Sequence, residues 1–99
     1  MDPISKEAIL TELRSEKSFL AEKYGVISIG LFGSYAKLEE GTESDIDLIV
    51  ELKSPKFEWL AGLQVYLENK FKKRIELIRK SNNINRRFLS RIEKDVIYV

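Results

Sequence analysis

Gly33-Ser34-Tyr35-Ala36-Lys37-Leu38-Glu39-Glu40-Gly41-Thr42-Glu43-Ser44-Asp45-Ile46-Asp47-Leu48-Ile49-Val50 runs from a glycine–serine turn into an apolar strand that carries two carboxylates. From Asp45 to Leu52 the residues alternate. Side chains alternate between the faces of a strand, so Ile46, Leu48, Val50 and Leu52 share one face and Asp45 and Asp47 the other. Two neighbouring acids repel, and a strand disfavours Asp. A divalent cation is the simplest agent that makes the arrangement tolerable.

Outward from this stretch, the chain reads as alternating helices and strands. Upstream, Ile9, Leu13, Leu20 and Tyr24, supported by Leu10, recur at helical spacing. They predict one helix over roughly residues 5–23, started by Asp2-Pro3 or capped by Ser5 and ended by Gly25. Val26 to Phe32, between Gly25 and Gly33, is a buried strand, and Gly30 inside it implies a close backbone approach or a kink. A short helix, Ser34 to Leu38, and a polar loop, Glu39 to Ser44, lead into the acidic strand.

Downstream, Ser54 and Pro55 open a helix whose stripe is Phe57, Leu60, Leu63, Leu67 and Phe71, widened by Trp59 and Tyr66. Arg74 to Ile78 is a third strand, with Ile75 and Leu77 facing one way and Arg74, Glu76 and Ile78 the other. Ile84, Phe88 and Ile92 fit a last helix, with Phe88 in the core and Arg86, Arg87 and Arg91 outside. Val96 to Val99 is a strand end or a docked tail. The pattern is that of a small α/β domain, a sheet covered by helices, and the length points to a single domain over residues 1–99.

Composition removes several chemistries. With no cysteine and no histidine, disulfides, thiolate or histidine catalysis and Cys/His zinc sites are excluded. Hard oxygen ligands remain, and these suit magnesium or manganese. No apolar run approaches the roughly 20 residues of a membrane span, and no signal peptide is visible, so a cytoplasmic location is expected. Charge is uneven: residues 1–66 carry a net −5 and residues 67–99 a net +6. The basic third could meet phosphate, nucleic acid or an acidic partner, or be an ordinary solvated surface.

Three acids share an address. If the strands bearing Asp47 and Glu76 pair with their polar faces aligned, Asp45, Asp47 and Glu76 converge. Such a set can hold two magnesium ions about 3.5–4 Å apart. Gly33 lets a phosphate approach the backbone, and Ser34 offers its hydroxyl near a helix start. Alone, Gly33-Ser34 could be a turn cap, and Glu76 could pair with Arg74 or Lys73. A calcium-binding EF-hand is excluded, because Ile46, Leu48 and Ile49 stand where its loop needs polar residues and glycine.

Gly33-Ser34, ten residues, then Asp45-x-Asp47 resembles the nucleotidyltransferase signature of the DNA polymerase β superfamily. The longer match, Leu31 to Lys37 and Ser44 to Val50, resembles its minimal nucleotidyltransferase (MNT) branch, and the likeness runs along nearly the whole chain. The resemblance implies a mixed sheet flanked by helices and a partner: a HEPN-domain protein from a neighbouring gene, often an RNase toxin. It implies an antitoxin that transfers AMP from ATP to a tyrosine of that toxin. By position, Gly33, Ser34, Lys37 and Ser44 would bind the nucleotide. Asp45 and Asp47 would bind both metals, and Glu76 would be the third carboxylate, as ligand and general base. Lys37 stands where the family usually has Arg, which keeps the charge and loses the fork. Glu76 is one methylene longer than the usual Asp.

A second reading is a non-catalytic antitoxin that neutralises its partner by covering it. A third is nucleic-acid binding through the basic end, although that end lacks interleaved aromatics for stacking and nucleic acid is not expected as a direct substrate. No separate acceptor-binding domain is visible, so the acceptor is expected to be brought by a partner or bound on the basic tail.

Overall fold

A computed structural model describes residues 4–37, 45–81 and 83–99. Helices α1 (Lys6–Ser15) and α2 (Lys17–Tyr24) lead into β1 (Val26–Phe32), then α3 (Gly33–Ala36), β2 (Ile46–Leu52), α4 (Phe57–Phe71), β3 (Ile75–Arg79), α5 (Arg86–Glu93) and β4 (Ile97–Tyr98). The four strands form one sheet in the order β3-β2-β1-β4. β1 runs antiparallel to β2 and β4, and β2 runs parallel to β3, with α4 as the crossover. This is the expected mixed sheet flanked by helices.

Register sets the two faces. Ile97, Leu31, Leu48 and Leu77 form one cross-strand row. Their face meets Ile9 and Leu13 of α1, Leu20 of α2, and Leu63, Leu67 and Phe71 of α4 in one buried cluster. The opposite face carries the row Phe32, Asp47, Glu76 and the row Tyr98, Gly30, Ile49, Ile78. There Ile49 is buried, as is Ile92 of α5, and neither belongs to the main cluster. Gly30 is the close approach its sequence implied: a Cβ would lie 2.7 Å from Val96 Cγ2. Among the described residues no helix is long and apolar enough to cross a membrane.

Several expected boundaries shift. The single helix over residues 5–23 is two helices broken at Glu16. The Glu16 N–H is shared between the Glu12 and Leu13 carbonyls at 3.1 and 3.2 Å, a tightened turn that bends a helix. Its carboxylate accepts from Tyr66 Oη and Lys70 Nζ on α4, each at 2.9 Å. Ser5 is the cap, accepting from the Ala8 N–H, while Asp2-Pro3 lies outside the described residues. Gly25 ends α2 with φ +64°, and a Cβ there would overlap the Trp59 ring.

Helix α4 starts at Phe57 with Lys56 as its cap residue, not at Pro55, because the Ser54 carbonyl is used by the Lys56 N–H at 2.8 Å. Phe57 is 79% exposed, so the apolar stripe begins at Leu60. The short helix begins at Gly33, and the end proposed for it, Leu38, lies outside the described residues, as does the loop Glu39 to Ser44. Asn85 caps α5 by accepting from the Arg87 and Phe88 N–H groups. Phe88, expected in the core, is 39% exposed: its helix is short and buries only Ile92.

Candidate active site

Asp45 stands one residue before β2, and Asp47 is the strand's second residue. They point to the same side, away from the main core. Because β2 and β3 are parallel, Asp47 lies directly beside Glu76, and on its other side Asp47 faces Phe32 of β1. Arg74 falls beside Asp45 by the same register, and its Nε lies 3.8 Å from Asp45 Oδ2. Two acids and an acid–base pair thus form a block at one end of the sheet. A hollow of about 380 Å³ opens beside Asp45, Arg74 and Glu76.

The electrostatics fall on Asp47. Burial raises its pKa from 3.8 to about 6, helped by a hydrogen bond to Glu76 and by repulsion from Glu76 and Asp45. Asp47 therefore keeps its proton to higher pH than an ordinary aspartate. Asp45 contributes only its field. Among the described residues no three acids form a ready-made cage for an ion, since Asp45 is turned to Arg74. That pair is exposed, with 81% of the Arg74 side chain accessible, and holds Asp45 weakly.

Gly33 is built against these acids. Its φ is +74°, and a Cβ on it would overlap Asp47 Oδ2 and lie 2.9 Å from Cγ. Only glycine gives both that conformation and that clearance. Ser34 is the second residue of α3 rather than its cap; Phe32 holds the cap position and has no side-chain hydrogen bond there. Lys37 closes α3, and its Nζ lies 3.9 Å from Asp95 Oδ2. Ser44 lies outside the described residues.

Two positioning residues were missed in the sequence. Gln64 Nε2 donates to the Ile75 carbonyl, and the Ile75 N–H donates to Glu68 Oε2 at 3.1 Å. Both backbone groups of Ile75 are thereby bound from α4, one residue before Glu76. Accepting from that N–H, and secondarily from Gln64, holds the Glu68 pKa below its ordinary value. The available signal was a polar pair four apart on a largely apolar helix, just ahead of a strand.

Residues 13–99 match the family described as nucleotidyltransferase domain. A chain of Methanocaldococcus jannaschii, provisionally named a protein adenylyltransferase, is 43% identical over 90 residues, 88% of this chain and 90% of that one. The protein adenylyltransferase MntA of Thermococcus cleftensis is 32% identical over 100 residues, with both chains covered fully. A solved structure of a provisionally named minimal nucleotidyltransferase superimposes with a TM-score of 0.78 at 22% identity, over 95% of each chain. A chain from the complex of tri-AMPylated Shewanella oneidensis HEPN toxin with its MNT antitoxin gives 0.66 at 15% identity, over 94% of this chain and 70% of that one. At such identities the two structures speak for the fold alone.

Proposed function

The chain belongs to the nucleotidyltransferase domain family, and on that footing, with relatives named protein adenylyltransferases, we propose that this enzyme is a protein adenylyltransferase of the minimal branch. In this reading it moves AMP from ATP to a tyrosine hydroxyl of a HEPN-domain toxin from a neighbouring gene, and so acts as an antitoxin. The observation that carries the reading is the Asp47–Glu76 pair, in register on adjacent strands, with Asp47 against Gly33 and its pKa raised. A purely structural role does not account for that pair, because it costs stability near neutral pH and no cation among the described residues is paired with Asp47 or Glu76.

The donor set fits a divalent ion. It is all carboxylate oxygen, which magnesium or manganese prefers. Burial first, then the neighbouring Glu76 and Asp45, make the charged form of Asp47 unfavourable, and a bound cation would offset that cost. Asp45, Asp47 and Glu76 would hold two such ions, with Asp45 exchanging its loose contact with Arg74. When bound, magnesium supplies charge stabilisation to the phosphates and acidifies the attacking hydroxyl.

The chain's own residues do the rest. Gly33 admits a phosphate to within contact of the backbone, and Ser34 presents its hydroxyl beside it. Lys37 lends positive charge to the phosphate tail, with Ser44 assigned to the same nucleotide site. In this reading Glu76, exposed on its strand, takes the proton of the acceptor hydroxyl. The hydroxyl oxygen bonds to the α-phosphorus, and the bond from that phosphorus to the bridging oxygen breaks. Pyrophosphate leaves with that electron pair.

The test is to incubate the protein with magnesium, ATP labelled at the α-phosphate and the HEPN protein of the adjacent gene. Label should pass to the partner, and Asp47→Ala should abolish the transfer. No transfer, or transfer that survives Asp47→Ala, overturns the reading. If an Asp45→Ala/Asp47→Ala variant still protects cells from the toxin, neutralisation proceeds by binding alone.

A further inference from the structure

Helix α5 uses its cations in two ways. Arg86, Arg87, Ser90 and Lys94 line an outward hollow of about 460 Å³, together with Arg91. Of these five, only Arg91 also lines a second cleft, of about 200 Å³, whose opposite wall is Gly33 and Lys37. Phe88 and Ile92 of α5, Asp95 just beyond it and Phe32 complete the lining. We propose that Arg91 is a phosphate-binding residue, gripping the triphosphate tail across this cleft from Lys37. The inference rests on the nucleotidyltransferase reading and adds to it a ligand from an element outside the strand–turn motif.

Position argues for it first. Gly33 lines the cleft, and its missing Cβ is what leaves room for Asp47. The cleft and the acids therefore meet at one residue. Size argues next. Pockets that hold whole small ligands run to roughly 300–1,000 Å³. A cleft of about 200 Å³ suits a di- or triphosphate tail, with the nucleoside left outside it.

Charge decides the rest. A triphosphate reaching three carboxylates needs cations at its far end. Lys37 is a point charge without a fork, and Asp95 stands 3.9 Å from it. Arg91 brings a planar, permanently charged guanidinium that can bind two phosphate oxygens at once. Half-exposed Phe88 walls the same cleft with apolar surface, which lowers the local dielectric and strengthens that contact.

Calorimetric titration of the full chain with ATP, AMP and tripolyphosphate, each with magnesium, tests the proposal. Arg91→Ala should weaken ATP and tripolyphosphate about tenfold or more, the size expected for a charge-assisted bond, and leave AMP unchanged. Arg91→Lys should fall between. Arg87→Ala, an equal loss of charge on the outward hollow, should stay within about twofold of wild type on the scale of exposed charges. ATP binding unaffected by Arg91→Ala, or weakened as much by Arg87→Ala, overturns the assignment and leaves the nucleotidyltransferase reading intact. If the wild-type chain binds none of the three, both fall. Arg91 is exposed, so thermal melting of the variant should match wild type.

Discussion

Replacing Asp47 with Asn should stabilise the ligand-free protein while abolishing transfer. Burial, then the bond to Glu76, then repulsion from Glu76 and Asp45 raise the Asp47 pKa from 3.8 to about 6. The unfolded chain therefore loses this proton at lower pH than the folded one. Stability falls as pH rises from about 4 to about 6 and is flat beyond. Taken whole, that rise corresponds to about 3 kcal/mol. Asp47 is only half-buried, and solvent screening reduces that to about 1 kcal/mol. Asn has the same shape, keeps a donor for Glu76 and carries no charge. In a chain of this size, about 1 kcal/mol is worth roughly 4–8 °C in melting temperature. The assay is urea unfolding of both proteins from pH 4 to pH 8, free of divalent ions. Asp47→Asn should be the more stable above pH 6, and the gap should close toward pH 4. Added magnesium should stabilise wild type above pH 6 and leave the variant unmoved. A variant no more stable than wild type at pH 7.5, or a gain undiminished at pH 4, would refute the reasoning.

Two further outcomes follow from the same geometry. Gly33→Ala puts a Cβ into the space of the Asp47 carboxylate at φ +74°; it should cost about 1–3 kcal/mol in denaturant unfolding, combining backbone strain with a displaced neighbour, and remove transfer, and unchanged stability would contradict the fit. Glu16→Ala removes the acceptor shared by Lys70 and Tyr66 and should cost about 1–2 kcal/mol at pH 7. Lys70 first, and Tyr66 second, hold the Glu16 pKa below 4.5, so this contribution is present above that value and lost as pH falls through the lowered one. The gap between Glu16→Ala and wild type should therefore narrow in acid unfolding below about pH 4.5, and a constant gap would count against the ion pair as its source.

What could be read in the chain was what local rules control. Gly25 and Gly33 bracket β1, and both take the left-handed backbone that punctuation by glycine implies. Alternation sorted Ile46, Leu48, Val50 and Leu52 from Asp47. It did not foresee that Ile49 is buried too, because burial of the second face is decided by tertiary packing and not by alternation within the strand. The break at Glu16 was invisible for the same reason: its partners Tyr66 and Lys70 lie 50 and 54 residues away. Phe57 and Phe88 misled, since an aromatic at helical spacing reads as core wherever the helix begins or ends.

The acids show where such legibility stops. That Asp45 and Asp47 violate strand preference is visible locally, and a broken local rule points to function. The natural guess is that the fold supplies the relief. The parallel pairing of β3 instead brings Glu76 alongside Asp47 and adds charge where charge was already in excess. Arg74 is the nearest cation seen there, it reaches only Asp45, and it does so at 3.8 Å through a solvated side chain. Gln64 and Glu68 meanwhile bind the Ile75 backbone, so β3 is held where the repulsion is felt. A sheet that fixes its carboxylates together and, among the described residues, leaves them under-compensated is in keeping with the divalent ion proposed for them.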